Sequence, residues 1–130
     1  MSSERVRFAP SPTGYLHVGG LRTLLFNWLY AKKNAAALIM RIDDTDQERS
    51  TRENERLLLK AVRGLGLDYT EGPEQGGPHA PYRQSERLSQ YENYAKKLLE
   101  SNQAYYCFCS AEEIAKKREI AVKEGRSPHY

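Results

Sequence analysis

Fourteen residues, Arg7 to Gly20, gather the side chains and backbone that phosphate chemistry calls for: an arginine, two prolines, three glycines and a histidine. Pro10 and Pro12 stiffen an extended loop. Gly14 permits a tight turn, and Gly19 and Gly20 let a ring or phosphate approach the backbone. A helix starting at the glycine pair would point unpaired N–H groups and a positive dipole end at an anion. His17 stands just before that end, placed to donate a hydrogen bond to an oxygen that gains charge in a transition state. Read singly, these residues could equally be a Gly/Pro turn before a helix with an incidental histidine. Their combination favours the phosphate reading.

Other residues invite the same weighing. Arg7 could grip a carboxylate with two parallel hydrogen bonds, or lie as a surface arginine along a sheet edge. Ser11 could touch a ligand or simply turn the chain between prolines. Asp44 and Asp46 could suggest magnesium, but capping or bracing the loop into the next helix is the reading adopted. Cys107-Phe108-Cys109 is too tight a spacing for a structural disulfide. It is half of a four-ligand zinc site, or two reduced thiols on a strand.

The elements that must position these groups follow from pattern. A strand is expected at Val6–Ala9, ended by the prolines. Leu21, Leu24, Leu25, Trp28 and Leu29 recur as a buried helical stripe closed by Lys32, Lys33 and Asn34. Ala35 to Asp43 reads as a strand buried on both faces, so strand, helix and strand make the βαβ unit of doubly wound α/β folds. A second helix is expected from Ser50, with Ser50 and Glu53 as a capping box, through Leu57, Leu58 and Ala61 to a left-handed cap at Gly64. Gly72, Gly76 and Gly77 with Pro73, Pro78 and Pro81 mark a loop or domain boundary. A third helix from Ser85 shows Leu88, Tyr91, Ala95, Leu98 and Leu99 on one face. Tyr105–Cys109 reads as a short aromatic strand, and Ser110 with Glu113 caps a fourth helix ending near Gly125.

Composition sets the bounds. The 130 residues carry a net charge of +3, with 39% hydrophobic and 28% charged residues, which is ordinary for one globular domain. No apolar run approaches the ~20 residues that span a bilayer. The opening Met-Ser-Ser-Glu-Arg lacks the apolar core of a secretory signal. A cytoplasmic protein with no membrane partner is expected.

Pro10, Ser11, Pro12, Thr13, Gly14, Tyr15, Leu16, His17, Val18, Gly19 and Gly20 together resemble the HIGH signature region of class I aminoacyl-tRNA synthetases, in its glutamyl form. Arg41-Ile42-Asp43-Asp44-Thr45-Asp46, continued by Glu48, Arg49, Ser50 and Thr51, resembles the second glutamyl block. Thr70–Pro73 and Tyr82–Ser85 match two further stretches in the expected order. The resemblance spans residues 5 to 130.

The resemblance implies an α/β fold: the first half of a Rossmann-like class I catalytic domain over residues 1–77, then the truncated start of an inserted α/β domain contacting the tRNA acceptor end over 78–130. It implies activation of glutamate by ATP with Mg2+, transfer to the 3′ end of tRNA(Glu), and productive activation only with tRNA bound. His17, Gly19 and Gly20 then attend the phosphates, while Arg7, Ser11 and Asp43 bind glutamate. The glutamyl pattern usually has Glu where this chain has Asp43, which shortens the reach by about 1.5 Å. Cys107 and Cys109 match half of a zinc site that an intact enzyme could complete, and no tight zinc is expected in this stretch alone. Arg83, Arg87, Lys96, Lys97, Lys116, Lys117, Arg118 and Lys123 could meet phosphates, although on charge alone solvated helix faces are the better reading.

Family members are several times longer and carry a KMSKS loop that is absent here, so an N-terminal piece, monomeric and weakly active or inactive by itself, is expected. The alternatives are the shorter paralogue that glutamylates a modified base of tRNA(Asp), and a non-catalytic nucleotide- or tRNA-binding module. A glutaminyl enzyme fits less well, because its second block lacks the Glu-Arg-Ser continuation.

Overall fold

The computed structural model describes residues 4–129, so the reading of the opening Met1–Ser3 and anything at Tyr130 lie outside it. Strand β1 (Arg5–Phe8) leads through the Pro/Gly loop to helix α1 (Val18–Asn34), then to strand β2 (Ala37–Met40) and helix α2 (Arg52–Gly64). A 3-10 turn (Gln84–Arg87) runs into α3 (Leu88–Glu100), and α4 (Ala111–Lys123) follows. The strands are parallel, in register from Arg5 with Ala37 to Phe8 with Met40, which gives the expected βαβ unit. The ladder outlasts the strands, since the amides of Arg41 and Asp43 donate to the carbonyls of Phe8 and Pro10 at 3.0 and 2.9 Å. On its other edge β2 meets later chain: Met40 N–H donates to the Glu71 carbonyl and Ile42 N–H to that of Tyr82.

The two faces of this small sheet are unlike. Alternation puts Phe8, Leu38, Met40 and Ile42 on one side, where they form a core with Leu24 and Ala31 of α1 and with Leu58, Leu59 and Val62 of α2. Arg5, Arg7, Ile39, Arg41 and Asp43 fall on the other side. β2 is thus fully buried on one face and only partly on the other, and it is shorter than the expected Ala35–Asp43. Ala35 cannot belong to it, because it takes a left-handed conformation (φ 50°) to end α1.

Further differences are local. In α1 only Leu24 and Ala31 are buried, while Leu25 and Leu29 of the expected stripe are exposed. The sheet is narrow and covers only a strip of the helix. α2 is capped one residue later than expected: Thr51 accepts from Asn54 N–H at 3.1 Å. Its buried stripe is Glu55, Leu58, Leu59 and Val62, whereas Ala61 is exposed. The helix does reach Gly64, but the left-handed residue after it is Gly66 (φ 68°).

The described chain divides into two compact units, one up to Tyr91 and one from Glu92 onward. That division falls beyond the Pro/Gly loop because Tyr82 and Gln84 hydrogen-bond to Ile42 and hold the loop's far side in the first unit. α3 buries none of its residues, including the expected face. Tyr105–Cys109 forms no strand, having no ladder partner among the described residues; Tyr105, Tyr106 and Phe108 are exposed. The capping box of α4 forms as expected, with Ser110 accepting from Glu113 N–H and Glu113 from Ser110 N–H.

Candidate active site

The loop from β1 to α1 lies at the carboxyl end of the parallel strands, where α/β sheets bind ligands. His17 is the N-cap of α1, and its Nδ1 accepts from Gly19 N–H at 3.1 Å and Gly20 N–H at 3.3 Å. This corrects the expectation that those amides are open to a phosphate. With Nδ1 an acceptor, a neutral ring carries its hydrogen on Nε2, and that N–H is the donor left for a ligand. A Cβ on Gly19 would stand 3.0 Å from His17 Cε1, so glycine is what lets the ring fold back over the helix start. His17, Pro10, Ser11, Thr13, Gly14 and Gly20 line one cavity of about 320 Å³.

Arg7 does not line that cavity. It lies in a second one of about 380 Å³, with Arg5, Arg41, His79, Tyr82 and Arg87. Most of these cations are engaged. Arg5 pairs with Glu71 at 2.7 Å, and Tyr82 donates its hydroxyl hydrogen to the same carboxylate at 2.6 Å. The Arg5 hydrogen bond, against burial and aided by Tyr82, holds the Glu71 carboxyl below its ordinary range. Arg87 donates to the carbonyls of Pro81 and His79. Arg41 forks onto Asp43, Nε to Oδ1 at 2.6 Å and Nη2 to Oδ2 at 2.8 Å. Among the described residues, Arg7 alone of the four arginines has no side-chain hydrogen bond or ion pair. An exposed, uncommitted guanidinium beside others of like charge is receptive to a carboxylate or phosphate.

The remaining predicted residues sort cleanly. Asp43 lines neither cavity, but its amide ties it to Pro10 of the signature loop and its side chain to Arg41. Asp44 braces a different element from the one expected, accepting from Ser85 N–H at 2.8 Å and Ser85 Oγ at 2.6 Å. Asp46 caps its own turn through Arg49. Arg83, one of the basic residues, forks onto the buried Glu55 and also meets Glu86, so it is a structural ion pair rather than a solvated one.

In the second unit Cys107 is exposed and Cys109 half-buried, with Lys117 Nζ 3.3 Å from Cys109 Sγ. That hydrogen bond and the sulfur's charge raise the Lys117 pKa. Among the described residues no group of three or more His, Cys, Asp or Glu side chains could hold a metal ion. Two thiols do not make a structural zinc site.

Sequence reasoning gave Arg5 and His79 no role, had Arg41 and Tyr82 only as members of matching stretches, and had Arg87 only among the basic residues that could meet phosphates. The signal for two of them, Arg5 and Arg41, was alternation, since Arg5 and Arg7, like Arg41 and Asp43, sit two apart on extended chain and must share a face.

Residues 4–130 match the family model for tRNA synthetases class I (E and Q), catalytic domain. The chain is similar to glutamate–tRNA ligase of Desulforamulus reducens, 56% identical over 98% of this chain and 27% of the relative. It is also similar to glutamate–tRNA ligase 2 of Rubrobacter xylanophilus, 58% identical over 97% of this chain and 25% of the relative. Among solved structures it resembles a glutamate–tRNA ligase of Elizabethkingia meningosepticum in complex with its amino acid, with a TM-score of 0.83 and 41% identity over 97% of this chain and 25% of that one. The chain thus spans about a quarter of the length of the proteins it matches.

Proposed function

The chain belongs to the class I tRNA synthetases for glutamate and glutamine, as part of their catalytic domain, and we propose that it supplies the first half of the active site of a glutamate–tRNA ligase. The observation that carries this reading is the signature loop at the carboxyl end of β1, with His17 folded on the start of α1 and the open guanidinium of Arg7 on the neighbouring strand face. The names of the relatives favour the ligase over the tRNA(Asp)-modifying paralogue and over a non-catalytic module.

In this reading a glutamate α-carboxylate oxygen attacks the α-phosphorus of ATP, which arrives with Mg2+ as substrate. The bond to the β-phosphate breaks and pyrophosphate leaves. A terminal ribose hydroxyl of tRNA(Glu) then attacks the glutamyl carbonyl, and AMP departs. His17 Nε2–H donates to the phosphate as its oxygens gain charge. Gly19 and Gly20 act through His17, holding the ring, rather than by direct contact. Arg7 takes a glutamate carboxylate, Ser11 contacts the substrate from the His17 cavity, and Asp43 meets the ammonium. Ordering of the reactants and stabilisation of the developing charge together carry the acceleration in such a site.

The finer organisation belongs to the same proposal: residues 1–77 in the nucleotide-binding half, 78–130 beginning a domain that contacts the tRNA acceptor end, and a monomer working in the cytoplasm. No helix among the described residues is long and apolar enough to cross a membrane. Any zinc at Cys107 and Cys109 would need further ligands. Glutamate-dependent ATP–pyrophosphate exchange by a full-length ligase carrying these residues, tested with and without tRNA(Glu), is the decisive experiment. Exchange with glutamine in preference to glutamate, or none with either, would refute the reading.

A further inference from the structure

We infer that Arg41 is a positioning residue of the amino-acid subsite, acting by holding the Asp43 carboxylate in one orientation. The inference deepens the ligase reading and rests on it. The two residues are placed by the backbone: their amides continue the parallel ladder onto Phe8 and Pro10, so both side chains stand on the Arg7 face of the sheet. From there the guanidinium meets both carboxylate oxygens at 2.6 and 2.8 Å in a parallel fork. Their side chains are 21% and 25% exposed, so this is neither a sealed core pair nor a loose surface one.

The fork changes what Asp43 can offer. A free aspartate turns about two side-chain bonds. Held by Arg41, its plane is fixed, and only the lone pairs not used in the fork are left for an ammonium. Its charge is already paired with that of the guanidinium, so an ammonium must be aligned with those lone pairs to gain from it. That converts a charge contact into a directional one. No other carboxylate competes for Arg41 among the described residues, since Glu71 is taken by Arg5 and Tyr82.

The test is steady-state ATP–pyrophosphate exchange, in the presence of saturating tRNA(Glu), by a full-length ligase carrying these residues, with glutamate and ATP varied separately. The variants are Arg41→Gln, Arg41→Lys, Asp43→Asn and the double Arg41→Gln/Asp43→Asn. Arg41→Gln is expected to raise KM for glutamate by about tenfold or more, with KM for ATP within about twofold. Arg41→Lys keeps the charge but loses the fork and is expected to fail similarly. It also serves should the glutamine variant fold poorly, with a thermal midpoint reporting folding for each. The double variant is expected to be no worse than Asp43→Asn alone, because Arg41 acts through Asp43. Multiplying effects in the double, an unchanged KM for glutamate, full rescue by lysine, or an equal rise in both KM values would overturn the inference while leaving the enzyme's identity intact. No glutamate-dependent exchange by the unaltered protein would instead overturn the functional reading, and this inference with it.

Discussion

The two faces of the β1–β2 pair share a backbone and little else. On one, Leu38, Met40 and Ile42 are at most 2% exposed and meet both flanking helices. On the other, Arg5, Arg7 and Arg41 line an open cavity. Strand alternation separates stability from chemistry within four residues. The apolar face fixes where the strand ends stand, and the arginine face is left free to carry charge that a core could not tolerate.

The comparison breaks most visibly in paired substitutions. Met40→Ala, at a position with no exposure, is expected to cost about 2–5 kcal/mol in denaturant unfolding. Arg7→Ala, on the same ladder, is expected to change stability by less than about 0.5 kcal/mol. Its effect belongs elsewhere: binding of a non-hydrolysable glutamyl-adenylate analogue to a full-length ligase should weaken by about 10- to 100-fold, the loss of one charged hydrogen-bonding partner. Equal destabilisation by both substitutions would show that the two faces do not divide the labour.

The arginine face is not without structural weight, and pH exposes it. Glu71 is 7% exposed and hydrogen-bonded by Arg5 and Tyr82. Its folded pKa lies below the ordinary 4.5, chiefly through the Arg5 hydrogen bond. A depressed carboxyl gives stability that is fully present above the unfolded value and is lost as pH falls through the folded one. Glu71→Gln is therefore expected to cost about 1–2 kcal/mol near neutral pH. Its deficit against the parent should shrink as unfolding is measured at successively lower pH beneath the ordinary carboxylate range. A deficit that stays constant with pH would mean that glutamine loses packing rather than charge.

Much of this was legible. The βαβ order, the Pro/Gly loop and the Ser110 capping box are written in neighbouring residues, and the structure has them. The misplaced features depend on contacts distant in sequence. Ser50 and Thr51 are equally good caps on paper; the structure caps with Thr51 and leaves Ser50 Oγ buried without a partner. His17 was found by its place before a helix, but its fold-back onto Gly19 and Gly20 needed coordinates. The Arg41–Asp43 fork was hidden because its members were read as parts of a motif rather than as neighbours on one face.

The smallest expected effect tests whether burial or residue type sets the stability of the core face. α1 presents Leu24 fully buried, yet Leu25 and Leu29, from the same periodic stripe, are 41% and 49% exposed. Periodicity records which side of a helix is apolar, and cannot report how wide a surface the sheet provides. Under this reading Leu25→Gln and Leu29→Gln in the 130-residue chain should each shift unfolding by less than about 0.5 kcal/mol, against several for Leu24→Ala. In a full-length ligase, a larger cost for the same two substitutions would mean that additional chain covers this flank of α1. An equally small cost there would mean that the flank stays in water, and that its leucines follow helix propensity rather than packing.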